Sequence, residues 1–253
     1  MPSTPPWDLF LKYIYILKTG ETFSSTKAKL GDFDRWVAEA LGGKRRDLKT
    51  IDIEHNEPLP ALPSAKGFII TGSHAMVTDE LGWSVALEKY IRRIVAKDIP
   101  LLGICYGHQL IAKALGGLSG YNPNGKEIGT VKIAALKSAV GDPLLANLPQ
   151  TFGAFVTHAQ SVLKLPPRAT VLAKNPHDAH QAVRFAPRCW GVQVHPEFNG
   201  TVMTEYILRQ KEALAEKGFD VDRLLREVKP CRRSRKILGN FLSVIESPPR
   251  RTP

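Results

Sequence analysis

Three side chains of this 253-residue chain could together carry out covalent acyl transfer: Cys105, His195 and Glu197. A cysteine attacks a carbonyl as its thiolate, so it needs a base within reach, and the base needs a third group to set its tautomer and orientation. His195 and Glu197 stand two positions apart at the end of an apolar run, and extended backbone projects such a pair from one face. Pro196 between them fixes its own φ and restricts His195, which stiffens the pair. Glu197 is then expected to accept the Nδ1–H of His195 and leave Nε2 facing Cys105. Taken without Cys105, the same H-P-E triplet reads as a strand-end histidine beside a solvent-facing carboxylate.

Positioning the thiol falls to residues 100–117, P-L-L-G-I-C-Y-G-H-Q-L-I-A-K-A-L-G-G. Leu101, Leu102 and Ile104 read as a short buried parallel strand, and Leu110, Ile111, Ala114 and Leu115 share one face of a helix. Cys105 lies on the turn between them, where Gly103 and Gly107 remove the Cβ clashes that would forbid so sharp a change of direction. A thiol there feels the unpaired N–H groups of the helix N-terminus, which favour the thiolate. Acyl transfer also needs donors for an oxyanion. The amide of Tyr106 is one candidate, and the loop Gly72-Ser73-His74, after another apolar run, is the second source; its alternative is a tight polar turn with no catalytic part.

The elements around these loops alternate. Strands are expected over residues 13–17, 48–53, 67–71 and from 100, with helices over 31–41 and 87–95, a polar loop over 19–30 and a proline-rich turn at 58–63. Such alternation implies a parallel sheet covered on both faces. Beyond Gly117 short runs at 118–121, 128–136, 154–158, 169–172, 181–185 and 190–194 read as strands, some necessarily antiparallel, with one turn of helix at 142–147. Helix returns at 201–217, 221–228 and 237–245. The fold class is therefore α/β, an open, mostly parallel sheet flanked by helices with additional antiparallel strands. Loops 72–74, 105–107 and 195–197 follow strand ends and should meet in one crevice, where open α/β sheets bind ligands.

The segments G-I-C-Y-G-H-Q-L and G-V-Q-V-H-P-E-F together resemble the class I glutamine amidotransferases, in particular the glutaminase portion of GMP synthetase and its stand-alone relatives. The resemblance runs from about Tyr13 to Tyr206. It implies a flavodoxin-like amidotransferase domain over residues 12–217, with residues 218–253 a C-terminal helical extension and basic tail. Cys105, His195 and Glu197 correspond to the family's triad. Ser73 supplies the oxyanion-hole amide that the family's second glycine supplies, paired with that of Tyr106, and His74 replaces a proline. Gly72 and Gln109 fall on the substrate side, and the run at 155–166 is similar to S-H-x-x-x-V-x-x-L-P, which makes His158 and Gln160 substrate-binding candidates; the alternative for His158 is a brace for the loop. His108 is expected to pack beneath the elbow.

Other chemistries have weaker support. A zinc site drawn from Cys105, His108, His158 and His195 lacks a second ligand pair, no phosphate-binding glycine loop is present, and no cofactor or metal is expected. Three cysteines without disulfide spacing point to a reducing compartment. With neither a leader sequence at the N-terminal M-P-S-T-P-P-W-D nor a long apolar run, the chain is expected to be cytoplasmic, with no membrane partner. The net charge of +11 is spread along the chain; its densest run, K-P-C-R-R-S-R-K at 229–236, reads as a solvated helix end or, alternatively, a polyanion site, and no nucleic-acid motif accompanies it. Substrate is glutamine or another γ-glutamyl compound. The resemblance to synthetase-linked glutaminases favours ammonia release for a separate synthetase partner; a free-standing γ-glutamyl peptide or amide hydrolase is the alternative, and a non-catalytic binding protein of the same fold a second one.

Overall fold

The computed structural model describes residues 12–43 and 45–247. The first half runs β1 (Tyr13–Lys18), α1 (Ser24–Leu30), α2 (Phe33–Ala40), β2 (Leu48–Asp52), β3 (Ala65–Ile70), α3 (Gly82–Ala96), β4 (Leu101–Ile104) and α4 (Tyr106–Ala114). The second runs β5 (Leu118–Tyr121), β6 (Glu127–Ala135), β7 (Thr151–His158), β8 (Gln160–Lys164), β9 (Thr170–Lys174), β10 (Ala182–Ala186) and β11 (Cys189–Val192). It closes with α5 (Gly200–Arg209), α6 (Lys211–Glu216), α7 (Val221–Arg226) and α8 (Lys236–Glu246).

Buried side chains alternate along the central strands. Ile14 and Ile16 of β1 and Ile69 of β3 enter one apolar layer; Tyr15, Leu17, Phe68 and Ile70 enter the other. Strands apolar on both sides must be covered twice. On one face α3 and α4 supply Leu87, Ile91, Leu110 and Ile111, and on the other α2 and α8 supply Val37, Leu238 and Phe241. A third cluster, built on Phe33, Trp36, Phe198 and Tyr206, joins α2 to α5.

Strands order as β2-β1-β3-β4-β11-β10-β9-β6-β7, with β5 and β8 a separate antiparallel pair. From β2 to β11 every pairing is parallel, and from β11 onward every pairing is antiparallel. A mixed sheet, parallel through β11 with added antiparallel strands and flanked by helices, matches the expected class. In register, Ile70 of β3 sits beside Gly103 of β4 and Ile104 beside Val192 of β11. Three adjacent parallel strands therefore deliver the loops at 72, 105 and 195 to one edge.

Several local expectations need correction. Residues 24–30 form α1 rather than loop; only Thr26 of this helix is buried, so it shows no apolar stripe. Residues 142–147 make turns and no helix, because the Asp142 carboxylate accepts from the Leu144 amide at 2.9 Å and from the Trp190 indole at 3.1 Å, a side-chain turn that competes with helix. Residues 160–164 form a strand, β8, unanticipated from sequence. The helix expected at 201–217 is two, α5 and α6, meeting at Gln210. The N-terminal residues 1–11 and the tail 248–253 lie outside the described residues.

Helix α8 belongs to the same apolar layer as β1 and β4, with Ile237, Leu238, Phe241 and Ile245 buried there. Phe241→Ala is expected to cost about 3–5 kcal/mol, read as a lower urea midpoint with unchanged slope. A loss below about 1 kcal/mol would mean that α8 is an appendage the fold does not need.

Candidate active site

Cys105 has φ +50° and ψ −100°, a region non-glycine residues seldom occupy. The turn is tight enough that a Cβ on Gly103 would come within 2.4 Å of the Gly107 carbonyl, and one on Gly107 within 2.7 Å of the Ile70 carbonyl. Both glycines are therefore required by the elbow. The amide of Cys105 donates to the Val192 carbonyl at 2.8 Å, its carbonyl accepts from the Gln109 amide at 3.1 Å, and the Gly107 amide reaches Thr71 O at 3.3 Å. These bonds tie β11, α4 and the loop after β3 to one turn.

His195 faces this turn from the neighbouring strand end. Its amide donates to Phe155 O at 2.8 Å, and its Nδ1–H donates to Glu197 Oε1 at 2.7 Å. Both side chains are essentially shut off from solvent, and the imidazole stacks on Phe198 with centroids 4.2 Å apart. Nε2 makes no hydrogen bond of ordinary geometry, leaving it open toward Cys105. Burial opposes charge on this ring, but Glu197 and the neighbouring Cys105 sulfur outweigh it and raise the His195 pKa to about 10. The ring thus holds its proton at neutral pH.

The loop after β3 completes the group. A Cβ on Gly72 would lie 3.0 Å from Cε1 of His195 and 3.8 Å from Cβ of Cys105, so a side chain there would crowd the imidazole. The Gly72 carbonyl accepts from the hydroxyls of Thr71 at 3.0 Å and Thr19 at 3.2 Å. A trans peptide is planar, so the Ser73 N–H points away from those hydroxyls. Ser73 Oγ also accepts from the Ala75 amide at 3.0 Å, which holds the turn. Neither the Ser73 nor the Tyr106 amide has an acceptor among the described residues.

Cys105, His195, Ser73, Tyr106 and Gln109 line one cavity of about 280 Å³. Among the substrate candidates the structure separates open groups from committed ones. Gln109 Nε2 donates to Gln160 O at 2.7 Å and Gln193 Oε1 at 3.0 Å, leaving its amide oxygen without a partner among the described residues. His158 and Gln160 also border the cavity, but their side chains are spent on scaffold. Gln160 accepts from the Val77 amide and donates to Thr78. His158 Nδ1 lies 3.0 Å from Gln160 O and Nε2 3.0 Å from Glu127 Oε2, contacts of the kind a loop brace would make. His108 is fully buried against Phe185 beneath the elbow.

Sequence reading missed much of the wall. Phe23, Phe33, Lys126, Tyr206 and Gln210 border the cavity beside His74 of the expected donor loop, whose ring sits 3.2 Å from the Tyr206 hydroxyl. They come from four separate segments, and nothing in their local spacing marks them. No group of three or more His, Cys, Asp or Glu among the described residues is arranged to hold a metal ion, and no described helix is long and apolar enough to cross a membrane.

The family model for glutamine amidotransferase class-I matches residues 33–213. A GMP synthase [glutamine-hydrolyzing] of Aeropyrum pernix is 36% identical over 190 residues, 72% of this chain but 35% of that protein. The chain thus spans about a third of that relative's length. Gamma-glutamyl peptidase 5 of Arabidopsis thaliana is 28% identical over 202 residues, 78% of this chain and 80% of the relative. A glutamine amidotransferase structure from Thermotoga maritima superposes with a TM-score of 0.76 at 22% identity, covering 93% of this chain and 99% of the other.

The three thiols differ in what surrounds them. Burial alone pushes the Cys189 thiol far up and that of Cys231 to about 11, whereas Cys105 faces a cavity and a protonated histidine. Limited iodoacetamide at neutral pH is expected to alkylate Cys105 ahead of the other two, as mapped by mass spectrometry, and more slowly in His195→Asn. Preferential labelling of Cys231 would contradict the arrangement.

Proposed function

The chain belongs to the class-I glutamine amidotransferase family, and from that premise we propose that it cleaves the γ-amide bond of glutamine or a larger γ-glutamyl amide through a thioester on Cys105. The observation that carries this reading is the buried His195–Glu197 pair with Nε2 left open beside a cavity-facing thiol. The Cys105 thiolate attacks the γ-carbonyl carbon, forming the S–C bond as the carbonyl oxygen takes up negative charge against the amides of Tyr106 and Ser73. The C–N bond then breaks as Nε2–H of His195 gives its proton to the leaving nitrogen, which departs as ammonia or an amine. Water gives a proton to Nε2 and its oxygen to the acyl carbon, the S–C bond breaks, and glutamate leaves.

Whether the product amine feeds a partner turns on the donor loop. The Gly72 carbonyl is bonded away by two threonine hydroxyls, which favours a donor set assembled at rest and an enzyme that acts alone. Likeness to a GMP synthase favours the other reading, ammonia supply to a synthetase partner. Steady-state amine release by the isolated chain separates them. Turnover in the ordinary range, about 1–10³ s⁻¹, without added protein supports the autonomous hydrolase, and release only after a synthetase is added supports the partner reading.

Roles within the triad make a graded series. Cys105→Ala abolishes turnover, His195→Asn approaches that level, and Glu197→Gln loses about 10²-fold because a base remains. The pH profile carries the sign. Since Glu197 supports the imidazolium, kcat/KM should fall as pH rises through about 10, and in Glu197→Gln this alkaline limb should move down toward the ordinary histidine value, about 6.5. A limb that stays in place would remove Glu197 from the account.

Thr71 acts through Gly72. Thr71→Val should lower kcat about tenfold or more with little change in KM, because the freed peptide no longer holds its N–H toward the oxyanion, while Thr71→Ser keeps the hydroxyl and most of the rate. Equal effects of both substitutions would point to packing instead.

A further inference from the structure

Three buried glutamines, Gln181, Gln193 and Gln109, form a chain from the scaffold to the cavity. A side-chain amide carries both a donor and an acceptor, and the groups around it settle which one faces each way. At the far end Gln181 Nε2 donates to Glu127 Oε2 at 2.9 Å; an oxygen there can only receive the amide's N–H, so Gln181 Oε1 points away from Glu127. The other carboxyl oxygen accepts from Asn175 Nδ2 at 2.6 Å, and Asn175 is itself held because its Oδ1 accepts from the amides of His177 and Asp178. At the near end Gln109 Nε2 donates to the Gln160 carbonyl at 2.7 Å and to Gln193 Oε1 at 3.0 Å. Gln193 therefore turns its own Nε2 away from Gln109.

Gln181 and Gln193 join the two halves. They stand opposite each other one step beyond β10 and β11, where Ala182 pairs with Val192 and the Gln193 amide donates to the Gln181 carbonyl at 2.9 Å. Opposite residues of an antiparallel pair project from one face with Cβ atoms about 4.5–5.5 Å apart. Both side chains are fully buried, and each has one atom without a partner: Gln193 Nε2, a donor, and Gln181 Oε1, an acceptor. Contact between the two, direct or through one buried water, satisfies both. Every amide of the chain then points its nitrogen toward Glu127 and its oxygen toward the cavity. Of the three glutamines only Gln109 lines that cavity, and its Oε1 is the atom left open.

Resting on the γ-glutamyl reading above, we propose that Gln181, anchored by Glu127, is a positioning residue: through Gln193 it holds the Gln109 oxygen toward the cavity, and that oxygen selects ligands with an α-ammonium. The γ-nitrogen of a γ-glutamyl compound is directed at Nε2 of His195, so the α-ammonium is the donor left for Gln109. The probes are glutamine and glutaramate, its analogue without the α-ammonium, titrated calorimetrically into the full chain carrying Cys105→Ala, which binds without turnover. Both constants come from one preparation, so their ratio is independent of the folded fraction. Glutamine should bind this parent about tenfold to hundredfold more tightly than glutaramate. Adding Gln181→Met lets Gln193 turn its donor toward Gln109 and should bring the ratio to within about threefold of one. Adding Gln181→Glu instead, at pH 6, keeps an acceptor toward Gln193 and shares one proton with Glu127, and it should keep most of the ratio. A ratio unchanged by Gln181→Met, equal losses from both substitutions, or no preference in the parent overturns the proposal. Binding of neither compound to the parent would instead remove the γ-glutamyl reading, and the ligand of Gln109 with it.

Discussion

The chemistry proposed for this chain depends on one backbone conformation, φ +50° at Cys105. Holding a non-glycine residue there costs about 1–3 kcal/mol, and the cost persists because the neighbours leave no alternative. Gly103 and Gly107 bring β4 and α4 together without a Cβ between them, the Cys105 amide is bonded to β11, and its carbonyl is part of the first turn of α4. The same turn sends the sulfur into the cavity and brings the first amides of α4 toward the place where an oxyanion would form. Relaxing it would move the nucleophile and its donors together.

Around the turn, buried polar groups divide into saturated and open ones, and the open ones that border the cavity are the candidates for the site. Glu127, His158, Gln160 and Asn175 spend their hydrogen-bonding capacity on each other, on the Thr78 hydroxyl and on backbone, which a low-dielectric interior demands. Nε2 of His195, the Gln109 amide oxygen and the amides of Ser73 and Tyr106 have no such partners among the described residues. Their residues line the same cavity, and each group is of a type that a γ-glutamyl compound can satisfy: a leaving nitrogen, an ammonium and an oxyanion. Burial sharpens the contrast, because the charge of Glu197 acts on His195 through little solvent and raises the ring's pKa.

The sequence made the elbow and the H-P-E pair legible because their geometry is local. Two glycines flanking a cysteine after an apolar run leave few backbone solutions, and a histidine and glutamate two apart must share a face when extended. Saturation is not local. His158 and Gln160 have the right side-chain types for a substrate loop, yet their partners, Glu127, Val77 and Thr78, lie more than thirty positions away. Helix α1 and strand β8 escaped because their burial is set by tertiary neighbours that periodicity does not register.

The central claim is a covalent γ-glutamyl intermediate on Cys105. Mixing the chain with excess glutamine or γ-glutamylglycine, quenching in acid within one turnover and measuring the intact and peptide masses tests it directly. The account predicts that the Cys105 peptide gains the mass of one γ-glutamyl group, the same from either substrate, and that Cys105→Ala gains none. Turnover without that adduct, or an adduct on another residue, would contradict it.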